Sequence, residues 1–316
     1  MHAALTELGS HMSRMGAAFT GLAMMLAGGV PAVAQTSSDT TTLILLGTGT
    51  PVPSPTAQGP ATAVTVGNRI FLFDAGAGVM RQMAAAGLPY RGGPITTVFL
   101  THLHSDHTLG LPDVILTSWV MGRQRPLPVV GPPGTGAMID HLLAAWREDI
   151  AVRTEGLEHG VRDGHRVAVR ETKGGVVYDS AGVRITAIPV PHGSWRWSFA
   201  YRIDAPGRSI VISGDTRPSE ALVEAARGVD LLLHEVYPES RLKPETRPGG
   251  DEWVSYMRSF HTSDRELGRI AARARPGLLV LYHVVRMAGT DEELLAGIRG
   301  GGFDGPVAIG KDLERY

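Results

Sequence analysis

No cysteine occurs anywhere in the 316 residues. That excludes disulfides and thiolate ligands, so any metal site must be built from His, Asp and Glu. An excess of charge of one sign is also lacking. Lys and Arg total 30 against 31 Asp and Glu, for a formal net charge of −1. With no basic excess and no charged tail, nucleic acid is not among the expected partners. A membrane-spanning run is missing as well. The apolar stretch Gly16 to Val30 is short for a span and runs into small residues.

That stretch has the form of a leader instead. A mildly basic start, Met12-Ser13-Arg14-Met15, precedes it, and Ala32-Val33-Ala34 before Gln35 is an A-x-A cleavage signature. Glu7 is out of place in a basic n-region, so a start at Met12 fits better. Residues 1–34 therefore read as a secretory signal peptide, 35–41 as a polar leader and 42–316 as the body of the protein. The expected location is periplasmic or secreted, with no stable membrane anchor once the leader is cleaved. Of the whole chain 43% is apolar, enough for one large domain or two tightly joined halves.

The body is organised around Thr101-His102-Leu103-His104-Ser105-Asp106-His107, three imidazoles and a carboxylate within six residues. The segment follows Thr97-Val98-Phe99-Leu100, an apolar run bounded upstream by Gly92-Gly93-Pro94 that predicts a short buried strand. In an extended chain His102 and His104 point the same way, while Asp106 and His107 follow at the turn. Imidazole nitrogen and carboxylate oxygen suit zinc, so one segment can supply ligands to two metals.

Further along, apolar runs repeatedly end in a polar residue. Asp74, His102, His192, Asp215, Glu235 and His283 each close one. Strands interleaved with helices predict sheets inside and helices outside, with these ends meeting at one edge. Asp74 serves either as a turn residue or as a carboxylate orienting a histidine ligand. The segment Ile150 to Lys173 reads as charged and irregular, with two strands at most. Gly47-Thr48-Gly49 is a weak phosphate signal with no helix behind it, and a dinucleotide site is rejected.

In type and order these residues resemble the metallo-β-lactamase fold hydrolases across essentially all of 42–312. The signature is Asp74, then His102-x-His104-x-Asp106-His107, then His192, Asp215 and His283. Three features are similar to the ribonuclease Z, arylsulfatase-like and ribonuclease Z-like β-lactamase group. They are Leu46-Gly47-Thr48-Gly49-Thr50-Pro51, the pair His234-Glu235, and Phe260-His261-Thr262-Ser263. The resemblance implies an α/β four-layer αββα sandwich with the metals at the edge between two sheets. It implies two zinc ions, one on His102, His104 and His192, the other on Asp106, His107 and His283, bridged by Asp215. Family members often dimerise, so a homodimer is an expected assembly. The family's tRNA-gripping arm falls between the positions of His192 and Asp215. Here 193–214 predicts a tight hairpin with no room for it.

The implied activity is metal-dependent hydrolysis of a phosphodiester or sulfate ester by zinc-bound hydroxide, on a small-molecule substrate without nucleic acid. The alternatives are a β-lactam or lactone hydrolase and, in another class, a non-catalytic metal-binding scaffold. Asp106 would steer the nucleophile and act as base. His261 would protonate the leaving group with Glu235 keeping its imidazole charged. The competing readings are a helix-cap neighbour for His261 and a surface ion pair for Glu235. Trp195, Trp197, Trp253, Tyr237 and Tyr256 either wall the substrate or anchor loops. His234 is expected to pack rather than ligate, and His141, His159 and His165 to lie at the surface.

Overall fold

A computed structural model describes residues 40–316. The signal-peptide reading and nearly all of the polar leader lie outside the described residues. Apolar runs rich in Val, Ile and Leu form β1 (Thr41–Gly47), β2 (Ala61–Val66) and β3 (Arg69–Phe73). Helix α1 (Val79–Ala85), β4 (Ile95–Phe99), the single turn α2 (Ser105–Thr108) and α3 (Leu111–Val120) follow. Next come β5 (Leu127–Gly131), α4 (Thr135–Ala145), α5 (Arg147–Glu155) and β6 (Val167–Glu171).

The second half begins with β7 (Gly175–Ser180), β8 (Val183–Pro189), β9 (Phe199–Ala205) and β10 (Arg208–Ile212). It continues through α6 (Glu220–Ala225), β11 (Leu231–Val236), α7 (Trp253–Phe260) and α8 (Asp264–Ala274). It closes with β12 (Leu278–Val284), α9 (Asp291–Gly300) and β13 (Val307–Ile309).

One sheet runs β1-β2-β3-β4-β5-β6 and the other β13-β12-β11-β10-β9-β8-β7. Strand alternation then sorts the apolar residues into three layers of contact. Leu43, Leu45, Phe71, Phe73 and Phe99 of the first sheet meet Phe199, Tyr201, Ile210, Leu233 and Val280 of the second. Their alternates Ile44, Leu46, Leu72 and Val98 pack outward with Val79, Val114 and Ile139 of α1, α3 and α4. Val211, Leu232 and Leu279 do the same with Leu222, Leu267 and Leu294 of α6, α8 and α9. This is the expected αββα sandwich. Each fully buried Leu, Ile or Phe contributes about 1.5–3 kcal/mol relative to exposure. Among the described residues no helix is long and apolar enough to cross a membrane.

The structure corrects the reading of 150–173. Only 167–171 is strand, and the segment opens inside α5. That helix buries none of its residues, so it shows no apolar stripe. Glu148 and Asp149 in its first turn favour the helix dipole, and Arg153 pairs with Asp149 at 3.0 Å one turn on.

The sheets touch where the parallel strands end. Phe199 N donates to Thr101 O at 2.9 Å, and Tyr201 Oη donates to Leu100 O at 2.8 Å. Gly214 makes that approach possible. Its φ is 58°, and an added Cβ would lie 2.7 Å from Phe199 O and 2.9 Å from Thr101 Cβ.

Candidate metal centre

Parallel pairing of β3 with β4, and of β10, β11 and β12 with one another, brings their C-terminal ends to one edge. Asp74 follows β3 and Thr101 follows β4. Asp215 follows β10, Glu235 is the penultimate residue of β11 and His283 that of β12. Asp74 and His283 have φ of 58° and 44°, left-handed values that a non-glycine residue adopts at a cost. Such conformations persist where the surroundings fix them, as here.

Asp74 is a hub. Its Oδ1 accepts from Thr101 N at 2.8 Å, and its Oδ2 accepts from Thr101 Oγ1 at 2.9 Å and from His107 Nδ1 at 2.8 Å. That turns His107 Nε2 toward the centre, which decides for the orienting role over the turn role. Thr101 Oγ1 also lies 2.9 Å from His102 Nδ1. His192 Nδ1 donates to Phe260 O at 2.7 Å, leaving Nε2 turned inward. Each ring is thus fixed through one nitrogen and offers the other.

The offered atoms form two groups. His102, His104, His192 and Asp215 make one, and Asp106, His107 and His283 the other, each with donor atoms within 4.8 Å of one another. His104 Nδ1 lies 2.8 Å from His102 Nε2 and 3.2 Å from His192 Nε2. Three ring nitrogens this close repel unless a proton or cation lies among them. Asp215 stands between the groups. Its Oδ2 is 3.9 Å from both His102 Nε2 and His192 Nε2, and its Oδ1 is 3.4 Å from His107 Nε2. His107 Nε2 and Asp215 Oδ1 are buried without a hydrogen-bond partner among the described residues. Buried polar atoms left so are costly unless something else satisfies them, and this donor set fits divalent cations.

The electrostatics agree for the first group, whereas in the second burial opposes the charge of His107 but Asp215 and Asp74 outweigh it and raise that ring well above the usual imidazole value. Burial lowers His102 well below the usual imidazole value, with His107 adding to it. Burial likewise pushes His192 down to about 4. Both are therefore neutral, as a ligand must be. Burial opposes the Asp215 carboxylate, yet His283 and His107 hold it well below the usual carboxylate range.

Beside the centre, His261 Nδ1 lies 3.4 Å from Glu235 Oε2 and 4.0 Å from Asp215 Oδ2. Burial disfavours its charge, but Glu235 overcomes this and raises the imidazole. Glu235 is fully buried rather than surface-paired, and its Oε1 accepts from Thr262 N at 3.0 Å and Thr216 N at 3.3 Å. His261 itself caps α7, and Ser263 supplies the capping box of α8. His234 belongs to neither group and is buried, as expected for a packing residue. His141 and His159 are exposed, while His165 is half-buried against Trp119.

Trp195 packs on the ring of His104, its Nε1 2.7 Å from His104 Nε2. Trp253, Tyr256 and Phe260 stack along α7, and Phe260 ends against His104 and His192. Trp197 lies instead under Lys173 and Arg196, and Tyr237 is buried. Thr101 and the Phe260 carbonyl were not singled out in the sequence. The one available signal was their place immediately before His102 and His261.

The sequence matches the family described as a β-lactamase superfamily domain over residues 69–284. A ribonuclease Z from Mycobacterium bovis (strain BCG / Pasteur 1173P2) is 36% identical over 280 residues, covering 86% of this chain and 96% of its own. Among solved structures, the metallo-β-lactamase fold protein YhfI from Bacillus subtilis superposes with a TM-score of 0.67 at 19% identity. It covers 88% of this chain and 100% of its own. Human tRNase Z, short form, gives 0.63 at 22% identity, covering 87% and 98%.

These findings correct the expected partners. A small-molecule ester or lactam with nucleic acid excluded does not stand beside relatives named ribonuclease Z and tRNase Z. The exclusion rested on overall charge, on the missing arm and on the export signal, since tRNA is a cytoplasmic polyanion. The structure does hold 193–214 as a short loop plus the β9–β10 hairpin. Yet the mycobacterial protein aligns over nearly its whole length, so a long arm is not what separates it from this chain. The chain is a metal-dependent hydrolase that belongs to the metallo-β-lactamase superfamily, among relatives of the ribonuclease Z type.

Proposed function

We propose that this protein hydrolyses a phosphodiester bond of RNA at a centre holding two zinc ions. The observation that supports the reading is the convergence of two ligand groups joined at Asp215, in a chain 36% identical to a ribonuclease Z. His102, His104 and His192 would hold one ion, Asp106, His107 and His283 the other, and Asp215 would join them. Imidazole and carboxylate without thiolate suits zinc, and the separation into two groups suits a pair. When bound, such ions supply Lewis acidity toward a phosphoryl oxygen and make water at the site more acidic.

The chain's own residues do the rest. Asp106, with Oδ2 3.2 Å from His283 Nε2, would accept a proton from the attacking water and aim it. His261 would deliver a proton to the departing ribose oxygen. Glu235, with Oε2 3.4 Å from Nδ1, would keep that imidazole charged. Trp195 and the stacked Tyr256 and Phe260 flank the centre.

The test is turnover of a 3′-extended tRNA precursor and of a chromogenic phosphodiester by zinc-loaded protein, with chelated controls. Chelator-sensitive cleavage of both is expected. Turnover of a sulfate ester or a β-lactam with neither phosphodiester cleaved would overturn the reading.

The leader at 1–34 supports export of this enzyme to the periplasm or beyond. Cell fractionation with N-terminal sequencing should find a mature chain starting at Gln35. Uncleaved protein confined to the cytoplasm would refute export.

A further inference from the structure

We infer that the cleft between the 193–194 turn and α7 binds a backbone phosphate of a single-stranded RNA, one nucleotide step from the bond that is cut. The inference rests on the RNA phosphodiesterase reading and names a subsite for it. The cleft has a volume of about 730 Å³ and is lined by Gly193, Ser194, Arg217, Ser255, Arg258 and Ser259, with Phe260 at its inner end. No carboxylate lines it.

Its two arginines are unlike many in this chain. Arg202, Arg227, Arg241, Arg273 and Arg286 each sit on a carboxylate at 2.5–2.8 Å. Arg217 and Arg258 are exposed and make no ion pair among the described residues. Two guanidiniums, always charged, share the cleft with the Ser194 and Ser255 hydroxyls, while Ser259 Oγ donates back to Ser255 O, and the surface is donor-rich with no carboxylate in it. Phosphate oxygens match it, and the guanidinium fork can engage two of them at once.

The cleft is tied rigidly to the centre. Gly193 N donates to Ser259 O at 2.9 Å, and Arg217 N donates to Pro191 O at 3.0 Å. These bonds flank His192, whose Nδ1 is held by Phe260 O. The Phe260 ring is shared. One side lines the cleft, and its centroid lies 4.9 Å from that of His192. Gly193 is needed for this closeness. Its φ is 51°, and a Cβ there would strike the Phe260 ring. Arg217 is two residues from Asp215, so their Cα atoms are within about 7.6 Å. Because Phe260 lines the cleft and packs on His192, a strand whose scissile phosphate sits at the centre would extend its neighbouring phosphate toward these arginines.

The test uses Arg217→Gln, Arg258→Gln and the double variant in the zinc-loaded full chain. Binding of a fluorescent phosphorothioate oligouridylate, which resists cleavage, is followed by anisotropy across a salt series. Each phosphate contact to a single strand contributes about −0.7 to the slope of log K against log salt. The double variant should bind about 10–100-fold more weakly, with a slope shallower by about 0.7. Arg217→Lys should restore the slope, because it keeps the charge. KM for a cleavable oligoribonucleotide should rise by more than it does for a small chromogenic diester, which has no second phosphate. Unchanged affinity and slope in the double variant overturn the subsite even if RNA is cleaved. Arginine-dependent binding without RNA cleavage by the wild type would uphold the subsite and overturn the RNA hydrolase reading instead.

Discussion

Four of the seven candidate ligands leave one strand together, whereas the other three arrive from separate strand ends of the opposite sheet. His102, His104, Asp106 and His107 are fixed locally. Asp74 and Thr101 orient two of the rings through side-chain hydrogen bonds. His192, Asp215 and His283 depend on register. Ile212 pairs with Leu233 and Glu235 with Tyr282, so a one-residue slip would point Glu235 or His283 to the wrong face. The first half of the centre is built by spacing, the second by the fold.

Asp215 joins these halves, and its loss should have the largest effect. Asp215→Asn should reduce turnover by about 10³-fold or more, since each 1.4 kcal/mol of lost charge stabilisation costs a factor of ten. Elemental analysis should find less than the wild-type zinc content. A variant that kept its metals and its rate would show that the two halves work without the bridge.

His261 tests the fold-built half without touching a ligand. His261→Ala should keep its zinc while losing about 10²–10⁴-fold on substrates with poor leaving groups, and far less on activated ones. Metal loss in this variant would make His261 part of the scaffold of the centre. Asp74 tests the locally built half. Asp74→Ala frees His107, and orienting partners of this kind are worth about 10–100-fold in metal affinity or activity. A competition titration with a zinc chelator should show the weakening. Equal affinity would mean that backbone alone holds the 101–107 segment.

The same division explains what was legible in the sequence. The 102–107 ligands stand side by side, and each strand of the sandwich carries a run of apolar residues ending at a polar one. The α5 segment was not legible because its stability comes from ion pairs and dipole terms rather than a buried stripe. Thr101 and the Phe260 carbonyl act through a hydroxyl and a backbone oxygen, groups too common to announce themselves. The exclusion of nucleic acid failed for a different reason. Net charge is a sum over the whole chain, and a sum near zero says nothing about Arg217 and Arg258 sharing one cleft.

The smallest effect concerns His234 and Glu235, which are adjacent in sequence yet divided by strand alternation. Glu235 faces His261, while His234 is buried on the other face with Nδ1 2.6 Å from the Glu235 carbonyl oxygen and Nε2 without a partner among the described residues. Burial pushes His234 down to about 4. Its folded value is therefore below the unfolded value of roughly 6.5. Above pH ~6.5 both states are neutral there and stability is unaffected. As pH falls from about 6.5 toward 4, the unfolded chain takes up the proton first, and stability drops by up to about 3 kcal/mol. Metal ligands such as His192 titrate in the same window with the same sign. The informative quantity is thus the difference between wild type and His234→Gln in urea denaturation at pH 7.5 and pH 4.5, where the variant should lose less stability than the wild type. Catalysis should change little beside the Asp215 and His261 variants. Parallel pH curves for the two proteins would mean that His234 is not held neutral by burial.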